Sequence, residues 1–406
     1  MAKLEDLPAE AGFVLAACAA VHGASDGEDR AIRLLDASFD WSGAIELARA
    51  HGVLPSLYRF LAAHPSLVPS RLMRELRFDC EENTLRNRRL ARELVRLSAL
   101  LEARAITPIV FKGPVLAQLA YGDVGGRSFL DLDLLVSRDQ VGRARAILDA
   151  NGFAPHETGP ETLGGGFFQA SAHPFVNPAT GTAVDLHWAL TPSYFPFAPD
   201  AEVVRRRSIR LRLEEGEVAT LAPHDHLLFI CVHGAKHGWS LLRMITDVAA
   251  LLGAEQPFDW TALCAEAEER GSLSMLLLGV TLAHDALGAR LPPAMVDRAR
   301  CDPIAKTLAP RLLAALFTPG AGARVSFFHD WIVPLRAINS RRARFAYFMG
   351  RAFAPTFDDW RFRPLPEPLF SLYYLLRPCR LMIQQTPRLL SALGAGLYPH
   401  KDRSRG

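Results

Sequence analysis

Much that would assign a function quickly is missing from this chain of 406 residues. Its six cysteines (Cys18, Cys80, Cys231, Cys264, Cys301 and Cys379) form no CxxC pair and no other metal-binding spacing. That excludes a zinc ribbon or a dithiol redox motif. They lie in apolar or helical surroundings and are expected to be reduced and buried, as in a cytoplasmic protein. The opening "MAKLEDLPAEAGFVLAACAA" places Glu5, Asp6 and Glu10 where a secretory signal needs positive charge and then an unbroken apolar core. No stretch is long, apolar and uncharged enough to read as a membrane span. Gly-x-Ser-x-Gly, the phosphate-binding loop Gly-x4-Gly-Lys-Ser/Thr and the dinucleotide fingerprint Gly-x-Gly-x-x-Gly are all absent, so hydrolase, P-loop kinase and dehydrogenase readings have no support. His233 and His237 are spaced to share a helix face, but Gly234 stands where a zinc peptidase motif needs glutamate. There is no internal repeat and no low-complexity segment.

What is present is an ordinary globular composition, 50% apolar and 22% charged, long enough for two domains or one large domain with extensions. The net charge of +3 carries no footprint of a specific nucleic-acid partner. Its distribution is uneven: Trp331 to Gly406 holds 13 Lys/Arg against 4 Asp/Glu, and the rest of the chain 33 against 39. The pattern divides into four parts. Residues 1–105 read as helical, ending in the Leu/Arg/Glu-rich helix of 71–105. Residues 106–221 alternate: a strand at 106–112, a helix from Gly113 with Pro114 in its first turn, strands at 128–136 and 181–190, and a helix between them. Residues 222–330 read as helical again, and 331–406 as a basic helical tail broken by prolines. The expected fold class is α+β, a small mixed-sheet core flanked by helical regions.

The stretch "GGRSFLDLDLLV" (125–136) holds the strongest chemical signal. It reads as a buried strand, yet Asp131 and Asp133 fall on one of its faces, with leucines on the other. Adjacent carboxylates raise each other's pKa, and a divalent cation removes the conflict; hard oxygen ligands suit Mg²⁺ (or Mn²⁺). In "GTAVDLHWAL" (181–190), Ala183, Asp185 and His187 likewise share one face. Three carboxylates on neighbouring strands can hold two metals, so Asp185 is expected within bridging reach of the pair. On the repulsion argument, replacing Asp131 or Asp133 is expected to leave stability unchanged or raised.

Lys112-Gly113 opening a helix, then Tyr121, Arg127, the strand Asp131-Leu-Asp133-Leu-Leu-Val136, the later Asp185-Leu-His187-Trp188 and the downstream "CVHGAKHGWSLLRMITDVA" together resemble the nucleotidyltransferase superfamily. Within it they are most similar to the uncharacterised bacterial nucleotidyltransferases, over roughly residues 40–255. The resemblance implies a transferase of the 2.7.7 type with Asp131, Asp133 and Asp185 catalytic and metal-binding. It also implies an NTP, such as ATP, held by Lys112, Gly113, Arg127, Ser128, His233 and Lys236. The wider superfamily often has Gly-Ser or Gly-Gly at the helix opening. Pro114 here removes a backbone N–H, which Lys112, the Gly113 amide or residues 125–128 must replace for a triphosphate.

On this reading a nucleoside monophosphate moves from an NTP to an acceptor oxygen with release of pyrophosphate. The acceptor is unspecified: a peptide, sugar, small molecule or protein side chain. Two other readings stand beside it. A metal-dependent glycosyltransferase also uses Asp-x-Asp, although the segment ahead of Asp131 is short for its nucleotide-binding half, and a non-catalytic nucleotide-binding scaffold would keep the fold alone. Asp225 reads as a helix cap, and Asp247 as an i,i+4 partner of Arg243. The tail is expected to pack its apolar side on the body; contact with a membrane surface is the alternative.

Overall fold

The structure, a computed structural model, describes residues 7–156, 171–197, 199, 201–254, 257–317 and 328–384. The Leu/Arg/Glu-rich segment forms one helix, Ser70–Glu102. Its buried positions, Leu76, Cys80, Asn83, Asn87, Leu90, Leu94, Leu97 and Leu101, recur at alternating steps of four and three. That is the single stripe an amphipathic helix buries. Two members of the stripe are asparagines. Asn87 Nδ2 donates to Val124 O and Arg127 O, both at 2.7 Å. Asn83 Nδ2 reaches Gly125 O and Arg127 O at 3.3 and 3.4 Å. The helix thus grips the turn that leads into the aspartate strand.

Among the described residues seven strands form one mixed sheet: β1 (Ile109–Val110), β2 (Asp131–Leu135), β3 (Ala154–Pro155), β4 (Ala172–Val176), β5 (Ala183–His187), β6 (Ile209–Leu213) and β7 (Gly216–Thr220). Their order is β3-β4-β5-β2-β1-β7-β6, with β2 parallel to β5 and antiparallel to β1. Leu132, Leu134, Val184 and Leu186 pack with Leu90, Leu94, Leu97 and Leu101 of the long helix. The other face meets a larger apolar cluster in which Ile109, Phe111 and Leu135 join Phe13 and Leu57 from the first hundred residues and Phe229 and Leu277 from beyond the sheet. The architecture is α+β, as the alternation predicts, and helices from both ends of the chain share a core against the sheet.

Some local expectations change. The β6–β7 hairpin falls where the sequence reading assigns no strand, because Arg210, Arg212 and Glu217 put charge on its exposed face. Leu130 precedes the strand and is 71% exposed, while Leu132 and Leu134 are fully buried. All six cysteines are free as expected, but Cys301 and Cys379 are exposed. Asp225 is not a cap: it lies in the first turn of helix Pro223–Lys236, whose N-cap is Ala222, and pairs with Arg207 Nη2 at 2.5 Å.

Close approach explains two glycines. Gly113 opens helix Gly113–Tyr121 at φ 53°, and a Cβ there would also lie 3.2 Å from Asp131 O. Such a φ is strained for any side chain. A Cβ on Gly126 would fall 2.8 Å from Tyr121 Cβ, so this glycine lets the 124–127 turn fold flat against Tyr121.

Asn87→Ala removes the donor to two buried carbonyls at once. Urea titration is expected to show a loss of about 1–3 kcal/mol. Asn83→Ala, whose contacts are longer, is expected to cost less; equal effects would show that the turn does not depend on Asn87.

Candidate active site

The parallel pairing of β2 and β5 sets Asp133 opposite Asp185, Asp131 opposite Ala183, and Leu135 opposite His187. Alternation then puts Asp131, Asp133, Asp185 and His187 on one face of the sheet. A carboxylate oxygen from each of Asp133 and Asp185 and a ring nitrogen of His187 all lie within 4.8 Å of one another, a spacing that could hold a metal ion. Asp133 is 1% exposed. Its Oδ1 accepts from Lys112 Nζ at 2.9 Å and lies 3.0 Å from His187 Nε2. Its Oδ2 and the Nδ1 of His187 are buried with no hydrogen-bond partner among the described residues. Lys112 is placed for this contact as the N-cap of the helix after β1, its ammonium 5.3 Å from the Phe111 ring centroid and 5.9 Å from that of Phe229.

Burial opposes ionisation at all three aspartates, and they answer differently. At Asp133 the Lys112 ammonium and His187 outweigh burial and hold the carboxyl well below the usual range. Asp131 is pushed up by burial and by the charge of Asp133. Asp185 is pushed up by burial and by the charges of Asp133 and Asp131, with His187 acting against them. One carboxyl is therefore lowered and its two neighbours are raised.

Basic side chains gather beside them, the two imidazoles among them held neutral. Burial, then Lys112, His237 and Lys236, keep His233 well below its ordinary pKa. Burial, then Lys112 and Arg351, lower Lys236 to about 8. His237, whose ring lies 4.5 Å from that of His233, is lowered to about 3 by burial and by Lys236, Lys112 and Arg351. Among the described residues neither Lys236 nor Arg351 has a carboxylate partner at ion-pair distance. Arg351 comes from helix Arg341–Phe353 near the end of the chain. Its guanidinium lies 5.2 Å from the Trp331 ring centroid, and its Nε is buried without a partner. The nearby His329 Nδ1 contacts Gly238 O, two residues beyond Lys236, so the 328–332 turn carries this region onto the end of helix Pro223–Lys236. Gly234 has a packing reason: a Cβ there would lie 2.6 Å from the ring of the fully buried Trp239.

Other candidates stand at the margin. Arg127 is buried, with Nε 2.8 Å from Asp247 Oδ1, which also accepts from Tyr121 Oη at 2.9 Å. The expected Asp247–Arg243 pair gives way to this one, and Arg243 Nη1 donates to Ser128 O at 3.0 Å instead. An i,i+4 pair on one helix loses here to partners from the turn before β2. His226 is fully buried between Phe111 O and Leu221 O and is lowered to about 4 by burial, so it tethers strands to the helix.

The structure brings Asp133 and Asp185 together with His187 and Lys112, sets Asp131 on the same face but outside that close group, and places His233 and Lys236 alongside. His187 is the residue that sequence reasoning placed on the right face without giving it a role; its alternation with Asp185 was the available signal. No local signal points to Arg351, which lies far along the chain.

The chain matches, over residues 37–288, the family described as uncharacterised nucleotidyltransferase. Among solved structures it is similar to the crystal structure of an antigenic nucleotidyltransferase-like protein from Paracoccidioides brasiliensis. The identity is 17% and the TM-score 0.31, covering 52% of this chain and 96% of that one. A likeness so loose carries no argument about chemistry. No curated protein matches. The family match takes in Lys112, the three aspartates, His187, His233 and Lys236, and stops short of Arg351. With well over half of its length inside that match, the chain belongs to the uncharacterised nucleotidyltransferase family.

Proposed function

We propose that this protein moves a nucleoside monophosphate from an NTP to an acceptor oxygen, releasing pyrophosphate, with Mg²⁺ or Mn²⁺ held by Asp131, Asp133 and Asp185. One observation carries the reading: the parallel register sets Asp133 beside Asp185, and the buried Asp133 Oδ2 has no hydrogen-bond partner among the described residues. A buried carboxylate oxygen without a donor is costly, and so are three carboxylates crowded on one sheet face. The oxygen-rich donor set fits a hard divalent cation, and an imidazole beside it favours Mn²⁺ over Mg²⁺. When bound, the cation supplies charge neutralisation at the reacting phosphate.

The chain's own residues do the rest. Lys112 and His187 fix the orientation of Asp133. Asp185, with its carboxyl raised by burial, is suited to take the acceptor's proton. Lys236 and Arg351 form a cationic wall for the β- and γ-phosphates, with His233 beside them as an uncharged imidazole, replacing the amide that Pro114 lacks. Arg127, whose Nε is occupied by Asp247, reaches phosphate only through its terminal nitrogens, and the Gly113 amide and Ser128 line the approach. The cytoplasm supplies the NTP. The direct test is incubation with each labelled NTP, Mg²⁺ or Mn²⁺ and cell extract, followed by mass spectrometry of whatever gains a nucleotide. Absence of transfer and of pyrophosphate with all four nucleotides would sink the proposal.

Asp131→Asn, Asp133→Asn and Asp185→Asn are each expected to abolish pyrophosphate release, but their stabilities should diverge. The repulsion argument holds for Asp131 and Asp185, whose raised carboxyls destabilise the fold above their folded pKa and are relieved as pH falls; these variants should melt at the same temperature or higher. It does not hold for Asp133. Its depressed carboxyl stabilises the fold above the ordinary aspartate range, and that contribution is lost as pH falls through the folded pKa. Asp133→Asn leaves Lys112 without its partner and should lower the unfolding free energy by about 1–3 kcal/mol. Thermal melts in which all three variants behave alike would contradict the assigned pairing.

Lys236 carries its charge below a pKa of about 8 and loses it above. The kcat/KM for the NTP should therefore fall as pH rises through that value. Lys236→Ala should raise KM more than it lowers kcat and should remove this limb of the profile. A variant whose pH profile matches that of the unaltered protein would exclude Lys236 from phosphate binding.

A further inference from the structure

Ten of the fourteen exposed large apolar side chains among the described residues lie between Phe345 and Ile383. The cause is a reversal of polarity. Asp359 is 2% exposed and accepts from Arg377 Nη1 at 2.8 Å and Arg380 Nε at 2.6 Å. Both arginines are buried, and Arg377 also donates to Arg351 O. A helical stretch (373–384) that turns its arginines inward turns its apolar stripe outward: Leu375 is 68% and Ile383 62% exposed. The tail packs Val333, Ala337, Ile338 and Tyr347 into the main core, as an apolar docking predicts, but residues 373–384 hold to its own Asp359 through charge; residues 385–406, with Arg388, Lys401, Arg403 and Arg405, lie outside the described residues.

An earlier helix, Arg341–Phe353, also exposes apolar side chains. Phe345 and Phe348, 67% and 44% exposed, stand three residues apart and share a face with Met349. Exposed Arg341 and Arg342 lie one turn earlier, and this helix contains no acidic residue. Beside the 373–384 stretch the local core is small, Phe370 and Tyr373 with three partly buried neighbours, whereas helix Arg341–Phe353 buries Tyr347 in the main core.

We propose that this C-terminal segment is a seat for an anionic lipid surface, laying its aromatic and aliphatic side chains among the headgroups with Arg341 and Arg342 at the phosphates. Exposed apolar residues joined to a one-signed basic face are what interfacial binding requires. Charge favours lipid over a second copy: in a two-fold interface the patch meets itself, arginines against arginines. No helix among the described residues is long and apolar enough to cross a membrane, so the segment lies on the surface.

The test uses the full chain, sedimented with phosphatidylcholine vesicles with and without phosphatidylserine. Binding should require phosphatidylserine and weaken with added salt. Phe345→Glu with Phe348→Glu, and separately Leu375→Glu with Ile383→Glu, should each lower the bound fraction on the order of tenfold without lowering the melting temperature. Arg341→Glu with Arg342→Glu should abolish the salt sensitivity. Failure of the unaltered protein to sediment with phosphatidylserine vesicles would overturn the proposal, as would binding that none of these substitutions changes. A dimer in sedimentation velocity that the Phe variant splits, with no vesicle binding, would reassign the face to contact between copies.

Discussion

A carboxylate almost wholly removed from water, Asp133, is the constraint around which the centre of this protein is organised. Left alone in an apolar sheet it would be protonated or would unfold its surroundings. It is kept ionised by two groups on one oxygen, Lys112 and His187. That requirement propagates. Lys112 must be the last residue before helix Gly113–Tyr121, Gly113 must accept a positive φ close to the backbone of Asp131, and β5 must run parallel to β2 in one register. A slip of one residue would turn Asp185 and His187 into the leucine layer beneath.

A second set of polar contacts holds the entrance to the same strand. Asn83 and Asn87 fasten the 124–127 turn from one side, and Asp247 fastens Arg127 and Tyr121 from the other. These groups sit where an amphipathic pattern calls for leucine, and each satisfies backbone or charge that would otherwise be buried unpaired. The price in hydrophobic area is offset by a strand start held from two directions, which is what a site needing three converging carboxylates demands.

The cationic side is assembled differently. Lys112 and Lys236 come from within the family match, Arg351 from beyond it. Burial and the charges of Lys112 and Arg351 lower Lys236, a tension that a nearby anion would relieve. The Asp359–Arg377–Arg380 cluster that leaves the C-terminal segment apolar outside also fixes the backbone of Arg351 through the Arg377 contacts to its carbonyl. One buried carboxylate in the last third of the chain therefore bears on the surface and on the site together.

Short-range pattern was enough to show in the sequence that β2 and β5 exist, that each turns its acids to one face, and that Pro114 begins a helix. Period-2 alternation, the φ of proline and the leucine stripe of Ser70–Glu102 are local properties. The resemblance carried by Lys112-Gly113, Asp131-x-Asp133 and Asp185-Leu-His187-Trp188 was legible for the same reason. Only the tertiary structure decided that β2 lies directly against β5, that the Asp133 carboxyl is lowered while those of Asp131 and Asp185 are raised, and that His187 is its partner. It also decided that Asp247 turns from Arg243 to Arg127, that Arg377 and Arg380 point inward, and that Arg351 reaches the site. Each of these depends on which charge or dipole stands across the gap between elements distant in sequence, and in a buried, low-dielectric setting that neighbour, rather than the residue's own type, sets its state.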